Sequence, residues 1–470
     1  MNIRKLAAEV TLLPVVFDGG NMTKDMTTGS PVRLIIGFAI PMFLGMLFQQ
    51  FYSMVDTLVV GRFLGVNPLA GVGSTTSLNF MVIGFCTGVC NGFAIPVAQM
   101  FGAQEEHRLR KYVTNSAWLC MVFSVVMTLA VVASCRAILT LMNTPKEIFE
   151  YAYIYILIVF WGIPCTFLYN ILAGIIRSLG DSKTPVVFLV ISSVMNIALD
   201  LVFIINLHLG VAGASLATVI SQAVSGIGCL IYSWKKFEIL HPDAEERRWN
   251  SSYMKTLCGM GVPMGLQYSI TAIGSVILQS AVNTLGSNAV ASMTAGSKIG
   301  MFFCCPFDAM GSTMATYGGQ NVGAKKMDRI SKGLKACSML GIGYAILAFV
   351  ILALTGRNLA LFFVERAEVE VIGNVYLFLL INSAFYIPLA FVNIVRFLIQ
   401  GMGYSKFAIL AGVCEMAART LVGFALVPLF GFPAACFASP VAWIFADAFL
   451  FPAYRHVYRK TEKMLNVSIQ

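Results

Sequence analysis

The chain is a succession of long apolar segments separated by short polar turns. Windows of about 20 or more mostly apolar residues have the length that a helix needs to cross a bilayer. Twelve such windows, TM1 to TM12, cover residues 33–61, 69–101, 114–141, 150–178, 185–206, 211–236, 255–284, 289–319, 333–363, 368–400, 407–428 and 434–457. We predict an all-α membrane protein of about twelve transmembrane helices. The loops leave no room for a soluble catalytic domain.

The apolar pattern occurs twice along the chain, at an offset of 221 to 223 residues. Gln99 and Gln320 are each followed three residues later by Gly-Ala, and Pro41 corresponds to Pro263. Such a repeat predicts two related six-helix bundles, with a central cleft between them. The bundles would cover 31–236 and 255–457, with a cytoplasmic linker at 237–254 and a cytoplasmic tail at 458–470.

Charge changes the picture only at the loops. The net charge is +10, yet only 11% of residues are charged, whereas soluble domains carry about 25%. Most Lys and Arg residues lie in alternate loops, so the positive-inside rule places both termini in the cytoplasm. Because orientation in the membrane accounts for the positive net charge, we expect no nucleic-acid partner. We expect a multi-pass protein of a bacterial inner membrane. Residues 1–30 are expected to be a disordered leader, and translation could start at Met22 or Met26.

Motifs for catalysis or a metal cofactor are missing from the sequence. The 12 cysteines are scattered through the apolar windows without a CxxC pair or a Cys/His cluster, which is typical of small apolar fillers. There is no HExxH or GxSxG segment either. We therefore expect neither an enzyme nor a resident cofactor.

Asp56 and Asp200 are isolated carboxylates inside TM1 and TM5. An unpaired charge at that depth costs several kcal/mol, so intramembrane acids usually have a function. Helical spacing places further polar residues on the faces of these two acids: Gln49, Tyr52 and Ser53 in TM1, and Ser193 and Asn196 in TM5.

The chemistry of these residues fits a small cation. Thr218 lies at a comparable depth in TM6, and Asn170 lies late in TM4. Carboxylate, amide and hydroxyl oxygens suit Na⁺, whereas a pair of buried acids suits H⁺ because desolvation and repulsion favour a protonated carboxyl. A purely structural pairing of the two acids is the alternative.

Over residues 27–455 the chain resembles the multidrug and toxic compound extrusion (MATE) family. The resemblance rests on the order and duplication of the motifs. These are Pro41 with Asp56-Thr-Leu-Val-Val-Gly61-Arg62, the two Gln…Gly-Ala segments, Arg177-Ser-Leu-Gly180-Asp181, and Gly210-Val-Ala-Gly213-Ala214. The polar residues of TM5 are similar to those of the DinF-like branch. The NorM-like branch instead has acids in TM7 and TM10, where this chain has Thr271 and Leu389.

The resemblance implies a monomeric antiporter that couples H⁺ or Na⁺ entry to the export of organic, often cationic, amphiphiles such as drugs or toxins. It implies a cation site formed by Asp56, Asn196, Asp200 and Thr218, which would be the ligands if the ion is Na⁺. It also implies a drug cavity lined by Gln49, Tyr52, Asn170 and Ser193, and a hinge at Pro41 in TM1. Membrane lipid would surround the protein.

The alternative is a flippase of the same superfamily that moves a lipid-linked sugar. Such a protein would need a more cationic cleft for pyrophosphate, but the cleft candidates here are acidic or neutral apart from Lys298 and Arg396. The sequence leaves the roles of Asp308 and Asp447 open. Glu415 and Arg419 stand four apart in TM11, which favours an ion pair within one helix.

Overall fold

Helices make up the molecule throughout the part of the chain that the structure, a computed structural model, describes: residues 24–142, 144–364 and 366–467. The helices are α1 Pro31–Leu64, α2 Val66–Ser74, α3 Thr76–Gly102, α4 Glu106–Leu141, α5 Lys146–Trp161, α6 Ile163–Ser178, α7 Lys183–Leu201, α8 Val211–Lys236, α9 Ser251–Asn283, α10 Ser287–Gly323, α11 Met327–Ala360, α12 Val369–Ala384, α13 Tyr386–Gly401, α14 Lys406–Leu421, α15 Val427–Phe430, α16 Phe432–Cys436 and α17 Ala438–Val467. We call α1–α8 the first half and α9–α17 the second half.

The number of membrane spans is close to the sequence prediction. Within the described residues, nine helical segments are long and apolar enough to cross a bilayer, and eleven if each of two bent pairs is one span. The remaining predicted span, TM8, forms the 37-residue helix α10, whose many Gly, Ser and Thr residues make it less apolar. The all-α, multi-pass fold predicted from the apolar windows is confirmed.

Two predicted spans are each broken into a bent pair of helices. TM4 is α5 and α6, which meet at 48°, and TM10 is α12 and α13, which meet at 52°. Pro164 and Pro388 lie in the first turn after each break. A proline there lacks the amide that would continue the preceding helix, which accounts for both breaks.

The last helix also differs from its predicted length. It continues to Val467, so most of the expected tail 458–470 is helical.

Each half has its own apolar core, but the first helix of each half begins in the core of the other. Ile35 and Phe38 of α1 pack with the second-half core, whereas Met254 and Leu257 of α9 pack with the first-half core. Correspondingly, α1 packs against α10 and α9 against α3. The repeat therefore extends to tertiary structure, with two reciprocal contacts across one central interface.

Close approach between the halves depends on glycine. A methyl group on Gly92 of α3 would overlap Gly261 of α9, and one on Gly102 would overlap the carbonyl of Gln320. The repeat-related Gly323 would overlap the carbonyl of Gln99 in the same way. Small residues let membrane helices approach at backbone distance, so these positions hold the halves together at one end of the bundle. We call it the basic end; it contains the junctions α3–α4, α6–α7, α8–α9, α10–α11 and α13–α14.

The segment before α1 also joins the halves at the basic end. The backbone N–H of Met26 donates to Gln320 Oε1 (2.8 Å), and that of Lys24 donates to the Leu179 carbonyl (3.1 Å). Met26 is 1% exposed, and its carbonyl accepts from Asn321 and Arg329. The expectation of a disordered leader is therefore wrong for residues 24–30, because their backbone is hydrogen-bonded to both halves. Residues 1–23, with the possible start at Met22, lie outside the described residues.

Candidate functional site

Asp56 of α1 and Asp200 of α7 are brought together by the packing of these two helices. Their carboxyl groups interact electrostatically, and Asp200 is fully buried. Three oxygens of the pair, Asp56 Oδ1 and both Asp200 Oδ atoms, are buried and receive no hydrogen bond from any residue that the structure describes. Two ionised carboxylates only accept, so a proton or a cation between them is what would satisfy these atoms.

Asn196 and Thr218 extend this pair. Asn196 lies one helical turn before Asp200, and its Nδ2 donates to Thr218 Oγ1 of α8 (3.4 Å). The other amide atom, Asn196 Oδ1, is buried without a donor. The structure thus places all four residues of the predicted cation site at the junction of α1, α7 and α8. Oxygen atoms of this kind are suitable ligands for Na⁺ and suitable acceptors for H⁺.

Two tyrosines surround the acid pair. Tyr52 interacts with Gln49 and with both acids. Tyr155 of α5 is 8% exposed and interacts with Asp56, Asp200 and Tyr52. Sequence reasoning missed Tyr155, since it is one of three tyrosines in a five-residue stretch and nothing in the sequence distinguishes the one that faces the acids.

A cavity of about 680 Å³ lies between the two halves, beside the acid pair. Of the predicted cavity residues, Gln49, Tyr52 and Asn170 line it, as does Thr218. Ser193 does not: it is buried, and its hydroxyl donates to the Leu189 carbonyl one turn earlier (2.8 Å). Tyr52 therefore lines the cavity and also interacts with the acid pair.

The second half contributes a charged cluster to the same cavity. Glu415 pairs with Arg396 of α13 and, within α14, with Arg419 at 3.5 Å. The expected Glu415–Arg419 ion pair is therefore present, but as part of a triad. Asp308 lines the cavity, and together with Asp447 it interacts electrostatically with Arg396.

This cluster corrects the expectation of an acidic or neutral cleft. Three guanidinium groups line the cavity, those of Arg177, Arg396 and Arg419, against the carboxylates of Asp308 and Glu415. Lys298, in contrast, is exposed and is not among the lining residues. The sequence did not identify Arg177 and Arg419 as cavity residues. Which sides of α6 and α14 face the cavity depends on how these helices pack against their neighbours.

In both halves, polar residues near the centre precede a short π-helical segment. In the first half, Asn196 and Asp200 precede a π-helical segment, Val202–Asn206; in the second half, Glu415 and Arg419 precede another, Val422–Leu426. Short π-helical segments inside α-helices are frequent at functional sites.

Pro41 lies within the uninterrupted helix α1. Among the described residues there is no group of three or more His, Cys, Asp or Glu side chains able to hold a metal ion. All 12 cysteines are free, most of them buried.

Comparison with known proteins assigns a family to this architecture. The MatE family model matches the chain twice, over residues 41–202 and 263–425, which reproduces the internal repeat. The probable multidrug resistance protein YoeA of Bacillus subtilis is 30% identical over 73% of this chain and 76% of its own. The FAD transporter of Shewanella oneidensis is 20% identical over 82% of this chain and 85% of its own.

Solved structures have the same fold. The outward-facing conformation of a multidrug resistance MATE family transporter matches with a TM-score of 0.86 and 21% identity, covering 94% of this chain and 100% of that one. The crystal structure of a MATE in the bent conformation matches with a TM-score of 0.84 and 21% identity, covering 94% and 98%.

Proposed function

Because the chain belongs to the MATE family, whose members are transporters and not enzymes, we propose that it is a cation-coupled efflux antiporter for organic amphiphiles. Its relative YoeA is a probable multidrug resistance protein. The observation that carries the proposal is the buried Asp56–Asp200 pair beside the central cavity, with Tyr52 lining the cavity and interacting with both acids. The coupling ion is H⁺ or Na⁺, and no resident cofactor is needed.

Coupling follows from this arrangement. With no ion bound, the pair is negatively charged and favours a cationic group in the adjacent cavity. Loading the pair with H⁺ or Na⁺ removes that charge and weakens the hold on the substrate, so ion entry drives substrate release. Asn196 and Thr218 supply further oxygens if the ion is Na⁺. The structure would represent the state in which the basic end is closed.

Helix α1 is the element that would transmit the loading. It carries Asp56 and Tyr52, and Pro41 lies four turns earlier, where a missing backbone hydrogen bond makes bending less costly. We infer that α1 bends near Pro41 when the pair is loaded. A crosslink that holds α1 straight without loss of transport would rule this step out.

The orientation and surroundings are part of the proposal. The basic end faces the cytoplasm by the positive-inside rule, and the chain works as a monomer in a bacterial inner membrane. Small-molecule drugs or toxins are the partners on the cavity side.

The direct test is dye efflux from proteoliposomes under imposed H⁺ or Na⁺ gradients. Asp200→Asn should abolish gradient-driven efflux, whereas the matched control Asp328→Asn, an exposed acid paired with Lys332, should leave it unchanged. The gradient that drives the wild type identifies the ion. Undiminished gradient-driven efflux by Asp200→Asn would show that ion coupling does not reside in the first half.

A lipid-linked sugar flippase remains the second candidate, and one observation favours it. The three arginines lining the cavity meet the requirement for a pyrophosphate group better than the sequence suggested. Reconstituted protein and a labelled polyprenyl pyrophosphate sugar would test it, with translocation between leaflets as the measurement.

A further inference from the structure

Arg177 is a half-buried guanidinium in the lining of the cavity. It lies in the last turn of α6 and lines the cavity, and its Nη2 donates to Asn91 Oδ1 of α3 (3.0 Å). No carboxylate within the described ranges forms an ion pair with it; the groups near its charge are tyrosines and thiols. The acid nearest in sequence, Asp181, is occupied by three hydrogen bonds from Lys183 and Thr184 at the start of α7.

A charge at this position is not required by the fold. The residue related to Arg177 by the repeat is Gln400, 223 residues later and in the corresponding last turns of α13. Gln400 is neutral, and its amide nitrogen donates to Gln267 Oε1 (2.7 Å). A half-buried cation without a counter-charge loses part of its hydration uncompensated, and the equivalent place in the second half does without a charge.

The rest of the basic wall is also incompletely paired. Arg396 and Arg419 both form an ion pair with the same carboxylate, that of Glu415. Arg396 Nε and Arg419 Nη1 are buried and have no hydrogen-bond acceptor among the described residues. Tyr268 interacts with Arg177, Asp308 and Arg396, so these three charges surround one side chain in one cavity. The cavity is thus lined by positively charged guanidinium groups and also by the negatively charged carboxylate of Asp308, which is exposed to the cavity.

We propose that the cavity recognises amphiphiles that carry a carboxylate or phosphate group, zwitterions included, and that Arg177 holds this acidic group. Asn91 orients the guanidinium, leaving its other N–H groups for the ligand. An ammonium group on the same ligand would face Asp308. This inference rests on the proposed transport function and narrows its substrate class from organic amphiphiles in general to those that bear an acidic group.

The test compares two dyes that differ in one charge: a rhodamine with a free benzoic acid and the same rhodamine as its methyl ester. Binding to the purified full-length protein in detergent is measured by fluorescence polarisation. The variants are Arg177→Gln, which copies the second-half residue, and Arg177→Lys, which keeps the charge. Arg136→Gln is the matched control, since Arg136 is exposed and pairs with Glu150 away from the cavity.

We expect Arg177→Gln to weaken binding of the acid dye by about tenfold or more, the usual loss with one charge-assisted hydrogen bond, while ester binding changes less than threefold. Arg177→Lys should retain part of the preference for the acid, and Arg136→Gln all of it. A structural role for Arg177 would instead lower binding of both dyes equally in both variants, and that result would overturn the inference.

The remaining outcomes separate the two proposals. A wild type that binds and exports the ester under an ion gradient but ignores the acid would overturn the inference and leave the antiporter standing. A wild type that exports neither dye would overturn both.

Discussion

Gln99 and Gln320 form a reciprocal pair of hydrogen bonds across the interface between the two halves. Gln99 Nε2 donates to the Gly401 carbonyl (3.0 Å), and Gln320 Nε2 donates to the Ser178 carbonyl (2.9 Å). The repeat relates both the donors and the acceptors. The closure of the basic end is therefore itself a two-fold structure, and any motion that opens this end must break both bonds together.

The first prediction concerns this closure. Gly102→Ala should loosen the basic end by about 1–3 kcal/mol, because the added methyl overlaps the Gln320 backbone. Hydrogen exchange in lipid discs, followed by mass spectrometry of peptides covering 316–324, should become faster. Gly73→Ala is the control, since a methyl there meets open space. Unchanged exchange in Gly102→Ala would mean that the glycine contact does not hold the end closed.

The second prediction concerns the segment before α1. Met26 is buried, and the polar groups around it form hydrogen bonds with its backbone only. Met26→Asp would bury a charge without a partner there, so it should release residues 24–30 from the interface. Limited proteolysis should then cleave this segment much faster than in the wild type. Ser30→Asp adds the same charge at the exposed N-cap of α1 and should have no such effect. Equal cleavage of the two variants would contradict the contacts described here.

The third prediction concerns Glu246 in the linker between the halves, which contacts the start of α4. Burial opposes its ionisation, but hydrogen bonds from Arg110, the Asp243 backbone and His107 outweigh burial and hold its pKa below the usual 4.5. An acid whose pKa is lowered by folding stabilises the folded state at pH values above its usual pKa. This contribution to stability is lost as the pH falls through the folded-state pKa.

Glu246→Gln should therefore destabilise the protein by about 1–3 kcal/mol at pH ~7. The difference in thermal midpoint from the wild type should shrink as the pH is lowered below the usual value of 4.5. Glu245→Gln removes an exposed acid, 3.5 Å from Lys111, and should change little at any pH. A gap that persists unchanged in acid would exclude an ionised Glu246 as its source.

The fourth prediction concerns Tyr155. Tyr155→Phe removes the hydroxyl beside Asp56 and Asp200 while leaving the cavity lining intact, so dye binding should be retained. Gradient-driven efflux should fall several-fold, because loss of the hydroxyl changes how the charge on the acid pair is stabilised. For the same reason, the dependence of efflux on the concentration of the coupling ion should shift. Tyr151→Phe, on the exposed side of α5, is the control. Normal coupling in Tyr155→Phe would limit the site to the four residues first predicted.

Much of the first-half site follows from the sequence because its residues are anomalies. Acids in apolar windows, such as Asp56 and Asp200, are detectable without a structure, and the helical spacing of Asn196 places it beside Asp200. Ser193 shares that spacing, yet its hydroxyl bonds to its own helix. Helical spacing defines a face, but the neighbouring helices decide which part of that face is at the cavity.

The sequence by itself determined the membrane-spanning helices, the two-fold repeat and the two isolated intramembrane acids, because apolar length, periodicity and isolated charge are properties of a linear chain. Tertiary structure alone decided that α1 and α9 begin in the opposite core and that residues 24–30 join the halves. It also brought the two acids together, with Tyr155 beside them, and turned Arg177 and Arg419 towards the cavity. These outcomes depend on how helices distant in sequence rotate and approach one another, and that is set by packing across the interface.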